Sequence, residues 1–183
     1  MKLSETPISG LMIAKTDVFS DHRGAFARLF CAQDLNEVIG DRHIVQANHS
    51  RTSTVGAVRG LHYQKSPHAE MKLVRCLRGR VWDVALDLRQ GSSTFLHWHA
   101  EELSANTMQM LVIPEGFAHG FQVLEPDSEL LYMHTEFYTP AVEGGVRHDD
   151  PRLAIDWPLA VTDLSERDRN HASLTDAFTG IDP

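Results

Sequence analysis

Apolar and polar residues alternate with a period of two through much of this chain. Trp82, Val84, Leu86 and Leu88 share one face of a run whose other face carries Val81, Asp83, Ala85 and Asp87, the signature of a strand. Leu73 to Leu77 reads as the strand before it, and Arg78-Gly79 between them as a tight hairpin turn. Further strands are predicted at 44–48, 58–64, 108–113, 120–124 and 129–138, with turns at Asp21-His22-Arg23-Gly24 and Glu125-Pro126-Asp127-Ser128. Short helices are expected over 34–39 and from Leu164 toward Asn170. Many short strands with little helix point to a β-barrel or sandwich. No repeat or linker divides the chain, so a single domain over 1–183 is expected. From about Pro151 the pattern is less regular, but Ile155, Trp157, Leu159 and Leu164 suggest a segment that packs back on the barrel.

Composition narrows the function. At 183 residues, 42% apolar and 23% charged, the chain suits one soluble domain with a sizeable core. A formal charge of -8 argues against nucleic acid as a partner, because phosphate backbones call for a basic surface. A small anion remains compatible, since Arg59, Lys72, Arg75, Arg78 and Arg80 cluster in sequence. Cys31 and Cys76 stand far apart and read as reduced thiols. The N-terminus lacks the apolar run of a signal peptide and nothing approaches a membrane span, so a cytoplasmic protein is the default.

Two blocks carry candidate chemistry. Arg59-Gly60-Leu61-His62-Tyr63-Gln64 and Ile113-Pro114-Glu115-Gly116-Phe117-Ala118-His119-Gly120-Phe121 each set one imidazole among β-type and glycine residues. Imidazole is the side chain best suited to moving protons near neutral pH. Regular alternation would put Arg59 and His62 on opposite faces, so a bulge at Gly60 is expected if both serve one site.

These blocks, with Phe19 to Gly24, Val45 to Ser50, Lys72 to Cys76, Trp82 to Asp87, Asp156 to Leu159 and Leu164 to Asp168, resemble the dTDP-4-dehydrorhamnose 3,5-epimerase family over nearly the whole chain. The resemblance implies a cupin-like jelly-roll β-barrel and a homodimer that exchanges an N-terminal strand. It implies no cofactor and no metal, and a nucleotide-sugar substrate. A 4-keto sugar has acidic protons at C3 and C5, because either carbanion delocalises into the carbonyl. By position, His62 matches the family's base, Asp168 the carboxylate that orients it, Tyr132 the acid on the opposite face, and Lys72 the cation at the enolate oxygen. His119 and Arg59 match substrate-binding positions. Arg23, Gln46 and Asn48 match nucleotide and diphosphate contacts, Tyr138 the aromatic stacked on the base, and Glu143 a further binding residue. Taken singly, each has an ordinary structural role as the commoner reading; their shared order reverses that judgement. Asp83 is expected either to pair with His119 or to anchor a turn. His68, His97, His99, His134, His148 and His171 are read as surface or packing residues.

Departures from the family pattern fall away from the proton-transfer residues. Met133-His134-Thr135 follows Tyr132 where Lys-Thr-Thr is usual, His148 precedes Asp149-Asp150-Pro151 in place of Trp, Met71 replaces the glycine before Lys72, and Arg28 stands where Glu is usual. Arg28 is open to three readings: a base reader that would suit a CDP-sugar, a second diphosphate cation, or a residue turned outward. The competing class is a metal-dependent, dioxygenase-like cupin, which needs a His-x-His pair in the glycine-framed block; His62 is followed by Tyr63-Gln64, and His97-Trp98-His99 lies elsewhere.

Overall fold

The computed structural model describes residues 1–183. Thirteen strands follow one another: β1 (Lys2–Glu5), β2 (Met12–Lys15), β3 (Val18–Asp21), β4 (Gly24–Ala27), β5 (Gln46–Thr52), β6 (Val58–Gln64), β7 (Lys72–Arg78), β8 (Arg80–Asp87), β9 (Trp98–Ser104), β10 (Gln109–Ile113), β11 (Phe117–Val123), β12 (Ser128–His134) and β13 (Glu143–Gly145). The helices are single turns, α1 (Asn36–Ile39) and α2 (Glu166–Arg169). Two antiparallel sheets face each other, ordered β1-β2-β10-β7-β12-β5 and β13-β6-β11-β8-β9, and β3-β4 stands apart as a two-stranded hairpin. This is the cupin-like jelly-roll barrel. No helix is long and apolar enough to cross a membrane.

The core follows from alternation. Val74 and Cys76 of β7, Leu111 and Ile113 of β10 and Leu130 of β12 meet Val81 and Ala85 of β8 and Phe117, Phe121 and Val123 of β11 between the sheets. Burying one such side chain contributes roughly 1.5–3 kcal/mol. A second cluster covers the outer face of the five-stranded sheet. There Leu61, Tyr63, Val84, Leu86 and Leu88 receive Leu153, Ile155, Trp157, Leu174, Phe178 and Ile181 from the C-terminal segment. Ile181 also bridges Arg89 in parallel.

Several expectations are corrected. The strand expected to reach Tyr138 ends at His134, because the backbone N–H groups of Tyr138 and Thr139 donate to the side chains of Gln46 and Gln64 instead of to a neighbouring strand. Strand β5 runs on to Thr52, beyond the expected end at Asn48, through polar residues of which Ser50 and Thr52 face the space between the sheets. Strand β11 begins at Phe117, earlier than expected, and β9 was absent from the pattern. Its two faces carry mixed burial, so no period of two is visible. The basic cluster is not a cluster in space. Lys72 and Arg75 lie three residues apart on β7 and so point to opposite faces. Arg75 is buried against Thr16 and the Met108 carbonyl. Arg78 and Arg80 flank the β7–β8 turn, where they pair with Glu129, Glu102 and Glu125.

Candidate active site

A cavity of about 630 Å³ opens between the two sheets. His62 from β6 and His119 from β11 are direct register partners on one sheet. The facing sheet supplies Lys72 from β7, Tyr132 and His134 from β12, and Asn48, Ser50 and Thr52 from β5. Arg59 also lines the cavity, and a bulge brings it to the same side as His62. Between the pairs His119–His62 and Phe121–Arg59, β11 has one intervening residue and β6 has two. Gly60 occupies that bulge at φ +116°, where a Cβ would stand 2.6 Å from Gly120 Cα and 2.7 Å from the His119 carbonyl oxygen. Only glycine suits such a conformation and approach.

His62 Nε2 lies 2.7 Å from Asp168 Oδ1, and Asp168 Oδ2 accepts from the Gly60 N–H at 3.1 Å. Helix α2 brings the carboxylate there: the Ser165 hydroxyl caps the Asp168 N–H, and Asp168 is only 2% exposed. Burial by itself would raise this carboxyl. The His62 hydrogen bond and charge, the Gly60 amide and Ser165 outweigh it and hold the pKa at about 2. An ionised carboxylate accepts only, so Nε2 carries the proton and Nδ1 presents its lone pair.

Tyr132 belongs to the opposite sheet. Its hydroxyl is 3.3 Å from Ser50 Oγ, and its ring meets that of His119 edge-on at 5.9 Å. Burial pushes the phenol well above its ordinary value; Ser50 opposes this, the Asp83 charge adds to it, and Arg59 opposes it. Tyr132 is therefore a protonated acid at neutral pH. Asp83 pairs with His119, at 2.8 Å from Nε2, and is fully buried. Lys72 Nζ donates to the His62 carbonyl oxygen at 3.1 Å and lies 3.1 Å from Glu70 Oε1. A base on one sheet, an acid on the other and a cation between them can remove and return a proton on opposite faces of a bound molecule.

Gln46, Asn48, Tyr138 and Glu143 line the same cavity, with the Tyr138 hydroxyl donating to Glu143 Oε2 at 2.9 Å. Arg23 and Arg28 do not. Arg23 sits at the tip of the β3–β4 hairpin in an ion pair with Asp21. Arg28 lies 3.8 Å from Asp34 with its side chain 63% exposed, clear of this chain's own cavity. The separate hairpin carries both away from the barrel.

Three residues that the sequence reading passed over are here. His134, read as packing, lines the cavity with Nδ1 2.6 Å from Glu70 Oε2. Its position at i+2 from Tyr132 on one strand places it on the same face and could have revealed it. Arg167 joins Glu143 at 2.8 Å, and its guanidinium lies 3.0 Å from His62 Nε2. His171 meets the His62 ring edge-on at 5.9 Å; neither of these last two left a signal in the pattern.

His62, Asp168 and His171 each bring a donor atom within 4.8 Å of the others, a grouping that sequence spacing did not reveal. Chemically it suits a hydrogen-bonded dyad better than a cation. Nε2 and the Asp168 carboxylate are already bonded to each other, and the Arg167 guanidinium occupies their open side.

The family model described as dTDP-4-dehydrorhamnose 3,5-epimerase matches residues 5–176. The dTDP-4-dehydrorhamnose 3,5-epimerase of Shigella flexneri is 43% identical over 178 residues, covering 97% of this chain and 98% of its own. That of Pseudomonas aeruginosa is 44% identical over 179 residues, covering 97% and 98%. A crystal structure of the Legionella pneumophila dTDP-6-deoxy-D-glucose-3,5-epimerase in complex with dTDP-4-keto-L-rhamnose superposes with a TM-score of 0.92 at 39% identity, covering 100% of this chain and 98% of that one. The metal-dependent cupin alternative finds no support among these relatives. The chain belongs to the dTDP-4-dehydrorhamnose 3,5-epimerase family.

Proposed function

We propose that this isomerase inverts C3, C5 or both in a nucleotide-linked 4-keto-6-deoxy hexose; inversion at both carbons converts dTDP-4-dehydro-6-deoxy-D-glucose to dTDP-4-dehydro-L-rhamnose. His62 Nδ1 takes the proton next to the C4 carbonyl, and the C–H electron pair moves into that carbonyl as an enolate. Asp168 stabilises the imidazolium that forms. The Lys72 ammonium faces the enolate oxygen. Tyr132 returns a proton from the other side and inverts the carbon. Arg59 and His119, the latter held by Asp83, bind the sugar; Gln46, Asn48, Tyr138 and Glu143 bind the nucleotide. The observation that carries this reading is the division of labour across one cavity: His62 bonded to the ionised Asp168 carboxylate on one side, a buried protonated Tyr132 on the other.

The functional unit in this reading is a homodimer. Hairpin β3–β4 exposes Phe19 by 68%, Phe26 by 71% and Val18 by 42% with no apolar cover of its own, and it carries Arg23 at its tip. Docked on a second copy, it would add Arg23 and Arg28 to that copy's nucleotide end. Free thiols at Cys31 and Cys76 accord with a cytoplasmic protein.

Incubation with dTDP-4-keto-6-deoxyglucose in heavy water, followed by NMR, tests the chemistry. Deuterium at C3, C5 or both, with inversion, is the expected result. A substrate that binds yet neither exchanges nor inverts at either carbon would refute it. Light scattering tests the dimer, with a monomer at micromolar concentration as the refuting result.

A further inference from the structure

One unbroken chain of polar contacts joins half-exposed Tyr138 to buried Lys72. The Tyr138 backbone N–H donates to Gln46 Oε1 at 3.1 Å, and Gln46 Nε2 donates to Asn48 Oδ1 at 3.3 Å. Asn48 Nδ2 is 3.3 Å from His134 Nε2, and His134 Nδ1 is 2.6 Å from Glu70 Oε2. Glu70 Oε1 completes the path at 3.1 Å from Lys72 Nζ.

The donors in this chain have one admissible order. A backbone N–H can only donate, so Gln46 turns its oxygen to Tyr138 and its NH2 to Asn48. Asn48 must then present its own NH2 to His134. Nε2 therefore accepts, and the ring proton sits on Nδ1, facing Glu70. Glu70 in turn takes a proton donor on each oxygen. Burial by itself would raise its carboxyl, but His134 and Lys72 outweigh burial and hold it below the ordinary range. The side chains of Glu70, Lys72 and His134 are each no more than 9% exposed. The ring of His134 also lies nearly parallel to that of Tyr132, at 16° and 6.2 Å. Low exposure keeps the His134–Glu70–Lys72 links strong, because little water competes for them.

Register explains why these residues meet. His134 is the cross-strand partner of Lys72 on β7 and of Gln46 on β5. Glu70 precedes β7 by two residues and reaches both His134 and Lys72. Neither His134 nor Glu70 has a part in the proton transfers above, yet their side chains are little exposed and their polar contacts run to each other, to Asn48 and to Lys72.

We propose that His134 and Glu70 are positioning residues that couple the seating of the nucleotide to the placement of Lys72 at the reacting sugar. The proposal rests on Gln46, Asn48 and Tyr138 being nucleotide contacts. Nucleotide seated on Gln46 and Asn48 holds in place the amide order that the Tyr138 N–H imposes, the order in which His134 holds Glu70. Glu70 then holds the ammonium where the enolate oxygen develops. Remote binding is thereby used at the reacting centre.

A double-mutant cycle tests this, with dTDP affinity measured by calorimetry and kcat by NMR. Gln46→Leu should weaken dTDP binding and lower kcat, each about tenfold, or about 1.4 kcal/mol. His134→Leu should lower kcat about tenfold while leaving dTDP affinity within about threefold, because the nucleotide contacts remain. Combining the two should lower kcat no further than either alone. His134→Gln offers an amide acceptor and donor in place of the two ring nitrogens and should restore most of kcat, which a role in packing alone would not predict. Independent losses that multiply to about a hundredfold in the double variant would overturn the coupling, as would a His134→Gln enzyme as impaired as His134→Leu. Unchanged dTDP affinity in Gln46→Leu would instead refute the nucleotide contact itself, and the coupling with it.

Discussion

Replacing Asp168 by Asn separates the charge of the dyad from its shape. The carboxylate is held at about 2 against an ordinary 3.8, a difference worth roughly 2–3 kcal/mol of interaction with the ionised form. Taken as an order of magnitude for what Asp168 gives the His62 imidazolium in return, it corresponds to a factor of about 30 to 150 in rate. A second loss comes from proton order. With the oxygen of the new amide kept on the Gly60 N–H, its NH2 faces His62 Nε2, which must then accept. The imidazole proton moves to Nδ1, the nitrogen that has to be free. Together the two effects should lower kcat by about 10⁴-fold, the size of loss seen when the same change imposes the wrong tautomer in Ser-His-Asp hydrolases. The fold should survive, since Asn fills the same space and keeps the Gly60 bond. Because the folded pKa lies below the unfolded one, the carboxylate's contribution to stability is complete above about pH 4 and is lost as pH falls toward about 2. Acid unfolding of Asp168→Asn should lack that component. Turnover and solvent exchange followed by NMR, with thermal melts across pH, supply the measurements. A folded Asp168→Asn enzyme within tenfold of wild type would refute the assigned tautomer and the role of the dyad.

Tyr132→Phe keeps the buried ring and removes only its proton, so substrate hydrogen should still exchange with solvent by way of His62 while inversion is blocked; equal loss of both would give Tyr132 a different role. Gly60→Ala places a methyl group 2.6 Å from Gly120 Cα at φ +116°, and should destabilise the barrel by about 3 kcal/mol or more in denaturant unfolding. Full stability in that variant would mean that the bulge relaxes freely. Exhaustive chelation should leave turnover unchanged, because His62 and Asp168 are bonded to each other with Arg167 beside them; activity lost on chelation and regained with one stoichiometric metal would assign the His62–Asp168–His171 group to that ion.

Much of the fold is legible along the chain because burial between two sheets imposes a period of two. The runs from Val58 to Gln64 and from Arg80 to Asp87 read directly as strands, and Gly79 between Arg78 and Arg80 marks the β7–β8 turn at φ +73°. The glycine-framed histidines and the order of the family blocks pointed to the residues around the cavity, and Gly60 pointed to a bulge. Alternation alone could also have separated Lys72 from Arg75. What tertiary structure decided is contact between residues far apart in sequence. Asp168 reaches His62 from 106 residues away because α2 is laid against β6, and no local pattern in Leu164 to Asn170 specifies that docking. His134 is an ordinary strand residue until β5 and β7 flank it with Asn48 and Lys72 and Glu70 closes on its ring. In sequence only the turn at Asp21 to Gly24 is legible, and the folded chain reveals that nothing in it covers the exposed aromatics of β3–β4. Local sequence sets the direction in which each side chain points, since that depends on backbone geometry within a few residues. Which side chains then meet depends on strand pairing and on the path of the C-terminal segment, set by the burial of the whole core.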